Sequence, residues 1–131
     1  MSTSIIQESE ITTNLTDPTQ SHQYKLLQEL LLTGTNVNAI DTSGNIPMHL
    51  LAKDSNRACG ELLLSHGSQL DIKNINGNTP LHIAVASNNI SFVKFLLEHP
   101  VDITASNKDG ITPLHLAVIT QNQNMIKLLL K

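Results

Sequence analysis

The side chains of this sequence best suited to chemistry are six histidines, one cysteine and eleven carboxylates. Three of the histidines, His49, His82 and His115, stand 33 residues apart, each directly behind an apolar Met48, Leu81 or Leu114. A metal centre draws ligands to one point, often from a short motif such as HExxH, whereas an even step of this length puts each histidine in the same niche of a separate unit. The three are expected to be structural. Cys59 is the single cysteine, which excludes an intrachain disulfide, a CxxC redox pair and a Cys-based zinc site. It shares a register position with Phe92 and Met125, so a buried, inert thiol is expected rather than a nucleophile. Asp71 and Asp102 lie one step apart in the returns between units and offer no shared pocket for acid–base work. With no phosphate-cradling glycine loop either, the chain is expected to be no enzyme and to hold no metal, cofactor or small-molecule ligand.

Bulk composition narrows the partners. Eight Lys plus Arg against eleven Asp plus Glu give a net charge of -3, and the basic residues are spread along the chain rather than gathered in a stripe. Nucleic-acid binding is therefore disfavoured. No apolar stretch approaches the roughly 20 residues that span a bilayer, so no membrane insertion is expected. The first 17 residues carry Glu8 and Glu10 and no basic residue before an apolar run, unlike a secretory signal. Together with the lone cysteine this suits the cytoplasm or another reducing intracellular compartment. Twenty Leu stand against one Tyr, two Phe and no Trp, an interior of aliphatic chains in a protein of 131 residues, where one large core would use more rings.

The 33-residue step explains that imbalance. Residues 41–49, 74–82 and 107–115 superimpose, with Gly44, Gly77 and Gly110 in register, and leucine pairs recur at Leu30–Leu31, Leu63–Leu64, Leu96–Leu97 and Leu129–Leu130. Each unit reads as a turn, a short helix, a loop, a second helix and a polar return ending at Gly34, Gly67 or Pro100. Thr79 and Thr112 precede Pro80 and Pro113, so a hydroxyl caps the helix and proline takes its first turn. Ile46 precedes Pro47 and cannot cap, which predicts a weaker helix start there. The glycines sit in the hairpin, where a positive φ penalises a side chain. Such units are too small to fold alone and must stack.

These motifs resemble the ankyrin repeat, whose pattern opens on Asp or Asn, places Gly three residues on, and continues with Thr-Pro-Leu-His and a Leu-Leu-rich second helix. The resemblance covers 21–131. It implies an all-α solenoid of paired antiparallel helices joined by β-hairpin-like turns: a partial unit at 21–40, units at 41–73 and 74–106, and a truncated one at 107–131. Residues 1–20 are either a flexible leader or an irregular cap. Unit 41–73 fits less well, with Ile46 and Met48 where Thr and Leu are usual, Leu51 in place of a small alanine, and Gly60 inside a helix where Val93 and Ile126 are its counterparts. Residues 46–60 are thus expected to be the least stable part unless Leu51 and Gly60 compensate in space. The resemblance also implies that the histidines hydrogen-bond within and between units, and that Asn38 matches a position open to hydroxylation. The apolar last helix, with Met125, Ile126, Leu129 and Leu130, looks made to be stacked upon and predicts a fragment of a longer protein.

The function that the resemblance implies is protein–protein recognition without catalysis, through a concave surface of hairpins and first helices. The candidate positions are Thr42, Ser43, Asn45 and Lys53 in the first full unit, Lys73, Ile75, Asn76 and Asn78 in the second, and Lys108, Asp109, Ile111 and Ile119 in the third. Ile75, Ile111 and Ile119 are expected to be exposed anchors, and Lys73, Lys108 and Asp109 orienting charges. The partner is an unidentified protein. The alternative is a non-binding structural or substrate-positioning segment of a larger enzymatic or host-directed effector protein; the high Asn and low Arg content would suit an AT-rich genome and delivery into a host cell.

Overall fold

The computed structural model describes residues 20–54 and 57–130. The leader or cap expected at 1–20 lies outside them except for Gln20, where the first helix begins. Seven helices follow among the described residues: α1 (Gln20–Leu32), α2 (Pro47–Asp54), α3 (Arg57–Ser65), α4 (Pro80–Ala86), α5 (Ile90–Leu97), α6 (Pro113–Ile119) and α7 (Gln123–Leu129). Helices this short are marginal in water by propensity alone, so packing must hold them. They stack in two layers: α2, α4 and α6 lie side by side as first helices, and α1, α3 and α5 as second helices, with α2 on α3, α4 on α5 and α6 on α7. No β-strand occurs among the described residues; the turns between units are hydrogen-bonded loops.

Helix starts follow the predicted chemistry and add a partner to it. The Thr79 hydroxyl accepts the His82 amide while the Thr79 N–H donates to His82 Nδ1 at 3.1 Å, and Thr112 and His115 repeat the arrangement at 3.0 Å. At the third site, Ile46 lacks the hydroxyl but keeps the reciprocal half, its N–H donating to His49 Nδ1 at 3.0 Å. Its side chain is fully buried instead. Within each later unit the turn between the helices uses a left-handed residue, Asn88 or Gln121. Asparagine then caps the second helix, Asn89 Oδ1 accepting from Phe92 N–H and Asn122 Oδ1 from Met125 N–H. Asn88, Asn89 and Asn122 thus have a local structural use.

The core is thin and continuous, running through Met48, Leu51, Cys59, Leu63, Leu81, Phe92, Phe95, Leu96 and Met125. Both phenylalanines of the chain meet there, ring centroids 5.3 Å apart and tilted. They also explain Gly60: a Cβ at that position would lie 2.5 Å from Phe95 Cε2 and 3.0 Å from Phe92 Cε1. The room left by the helical glycine is therefore taken by rings of the next unit, Phe92 and Phe95, rather than by Leu51. Burial pushes the Cys59 thiol up to about 11, which keeps it protonated and inert at neutral pH. In the last unit Met125 and Leu129 are buried, contrary to their reading as part of a face to be stacked upon; Leu130, like Val118 and Ile119, is exposed.

Candidate partner-binding surface

Each hairpin is built around one acceptor side chain. Asp41 Oδ1 accepts the N–H groups of Ser43 and Asn45, Asn74 Oδ1 those of Asn76 and Asn78, and Asn107 Oδ1 those of Asp109 and Ile111, all between 2.9 and 3.0 Å. Gly44 and Gly77 hold φ of 76° and 79°, and a Cβ on either would come within 2.9 Å of a backbone nitrogen in the next hairpin. That close approach lets the hairpins bond to each other: Ile75 N–H donates to Ser43 O at 2.9 Å and Lys108 N–H to Asn76 O at 3.1 Å.

Side-chain amides form a second ladder beside the backbone one. Asn74 Nδ2 donates to Asn45 Oδ1 and Asn107 Nδ2 to Asn78 Oδ1, each at 2.9 Å. This explains asparagine at 74 and 107, where a donor is needed toward the preceding hairpin. Aspartate serves at 41, which has no hairpin before it among the described residues. A third link comes from the histidines: His49 Nε2–H donates to Asn78 O and His82 Nε2–H to Ile111 O, both at 2.8 Å. The proton must sit on Nε2, because Nδ1 accepts a backbone N–H. Burial outweighs these hydrogen bonds and holds both imidazoles below their ordinary 6.5, so they are neutral and committed. On the opposite side of the unit, Asn38 donates to Gly67 O and accepts from Gln69 N–H, tying successive returns together.

The candidate positions accordingly divide. Thr42, Ser43, Ile75, Asn76, Lys108, Asp109 and Ile119 are exposed, with Ile75 at 57% and Ile119 at 64%. Asn45 and Asn78 are half-buried, their side-chain oxygens occupied by the ladder, so they hold the surface together instead of offering it. Lys73, expected as an orienting charge, donates from Nζ to Ser106 O at 3.0 Å. Ile111, expected as an exposed anchor, is half-buried: it takes the register of Asn45 and Asn78, and its carbonyl is held by His82. Lys53 is exposed and forms no hydrogen bond or ion pair among the described residues.

Between α2 and α4 the same face opens into a cavity of about 370 Å³ lined by Leu50, Ile83, Asn45, His49, Lys53, Ala86 and Ser87. Sequence reading placed Asn45 and Lys53 on the face but missed Leu50 and Ile83, the half-buried aliphatics in it. A signal existed in the column Lys53, Ala86, Ile119, where a small residue sits between two long ones.

Helix pairs stacked every 33 residues, with their hairpins joined edge to edge, define a repeat solenoid. Residues 19–107 and 73–131 match the family model described as ankyrin repeats (3 copies), and the chain belongs to the ankyrin-repeat family. No curated protein matches it significantly. The fold serves, in general, as a protein–protein interaction module. Among the described residues, no three His, Cys, Asp or Glu side chains gather to hold a metal ion, and no helix is long and apolar enough to cross a membrane.

Proposed function

We propose that the chain is a non-catalytic recognition module that binds a partner protein through its hairpin and first-helix face. The observation that carries this reading is the pairing of two aliphatic side chains more than half exposed, Ile75 and Ile119, with the cavity between α2 and α4 on the same face. Side chains that close the stack are buried or hydrogen-bonded, whereas these two leave most of their surface to solvent and available as anchors. Lys53, Lys108 and Asp109 lie at the margins of the same face and set the orientation of an approaching surface.

The test is capture from cell lysate by the wild-type chain and by a variant carrying Ile75→Ser and Ile119→Ser. Both positions are exposed, so the variant keeps its fold, which circular dichroism checks. Loss of about 2 kcal/mol of binding, seen as disappearance of the specifically retained proteins, is expected. Retention of the same proteins by both would sink the proposal.

A further inference from the structure

The cavity between α2 and α4 has a narrower chemistry than the face around it. Part of its polar lining is spent, His49 using Nδ1 on the Ile46 N–H and Nε2–H on Asn78 O and Asn45 Oδ1 holding the Asn74 amide, while the Asn45 Nδ2 donor and the Ser87 hydroxyl stay open. Leu50 and Ile83 supply apolar area alone. Among the described residues, the one charged side chain lining it is the uncommitted ammonium of Lys53. Space exists because Ala86 occupies the register that Lys53 and Ile119 fill with long side chains. Leu50 and Lys53 are three residues apart on α2, which sets their Cβ atoms about 5–6 Å apart on one helix face.

We infer that this cavity binds an extended peptide segment of the partner, seating one aliphatic side chain against Leu50 and Ile83 and presenting an acidic side chain two residues away to Lys53. Alternate side chains of an extended chain project to the same side about 6–7 Å apart, close to the Leu50–Lys53 spacing. A carboxylate alone would leave the apolar lining unused, and an aliphatic group alone would leave Lys53 unpaired; the two together match it. The inference rests on the recognition face proposed above and specifies what part of the partner enters it.

The experiment is selection from a random-sequence peptide display library on the intact chain, followed by fluorescence polarisation of the enriched peptides with three variants. Ala86→Leu fills the cavity at a position whose counterpart is already isoleucine, so folding is preserved. Lys53→Glu reverses the charge, and Ile75→Ser with Ile119→Ser probes the face outside the cavity. Enriched peptides should carry an aliphatic residue with Asp or Glu two positions away. Ala86→Leu should weaken them about tenfold or more, and Lys53→Glu should prefer Lys or Arg at the acidic position. Absence of enrichment, enrichment without the spaced acid, or binding that neither Ala86→Leu nor Lys53→Glu alters would each overturn the inference. Peptides sensitive to the Ile75 and Ile119 changes but not to Ala86→Leu would overturn it while leaving the face itself intact.

Discussion

Units 41–73 and 107–131 reach order by opposite routes. The later unit carries the full local code, with Thr112, Pro113 and His115 at its helix start, yet Pro113, Ala117, Met125 and Leu129 are its only buried residues among those described. The earlier one lacks the capping threonine and departs from the family pattern at Ile46, Met48, Leu51 and Gly60, yet Ile46, Met48, Leu51, Ala52, Cys59 and Leu63 are all buried. One column shows the contrast: Ala52 and Val85 are covered, while their counterpart Val118 is 55% exposed. Where described neighbours press on both sides, burial replaces the hydrogen bond that a cap would supply. Departure from a repeat pattern is then no measure of burial, because the position without the local cap is packed against the next unit.

The largest expected effect attacks that compensation directly. Phe95→Ala should cost about 3–5 kcal/mol in urea unfolding, since it empties the space beside Gly60 as well as the ring's own site. Gly60→Ala alone should cost about 1–3 kcal/mol through its clash with Phe95, but little or nothing when Phe95 is already alanine. Additive losses would break the link between these two positions. A smaller effect is expected from acid. His49 and His82 have values lowered below 6.5 by burial, so just below that point the unfolded chain binds more protons than the folded one. Stability is therefore full above about pH 7 and declines as pH falls through 6.5 toward the folded-state values, and His82→Gln should flatten the fall in urea midpoint. The smallest effect sharpens the comparison most: Ile46→Thr restores the family residue, but the gained cap and the lost apolar burial should nearly cancel, leaving thermal stability within about 1 kcal/mol of wild type. A clear stabilisation would show that burial had not replaced the cap.

The spacing of Gly44, Gly77 and Gly110 and of the leucine pairs was enough to read the stack, and Thr79 and Thr112 to read two helix starts. These signals are local, so each repeats in every unit that uses it. The partnership of Gly60 with Phe92 and Phe95 was not legible, because it depends on side-chain size in two units at once. The same limit hid the surface. Thr42, Asn76, Lys108 and Ile119 could be placed on it from register alone, but whether Lys73 is available depends on the carbonyl of Ser106, and whether Ile111 is exposed depends on packing across units. The cavity was hidden for the reason that it is a gap between residues rather than a residue.

The histidine bridges have a directional consequence. Each imidazole accepts a backbone N–H at its own helix start and donates to a carbonyl of the following hairpin, so both partners require the same tautomer, with the proton on Nε2. If the following hairpin pulls away, the ring keeps its acceptor role at the helix start, as His115 does, but loses the bond that ties that start to the next unit. Loosening of unit 107–131 would thus unanchor His82 at the first turn of α4, and loosening of 74–106 would unanchor His49 at the first turn of α2. Order is handed backward along the chain through a single N–H in each ring.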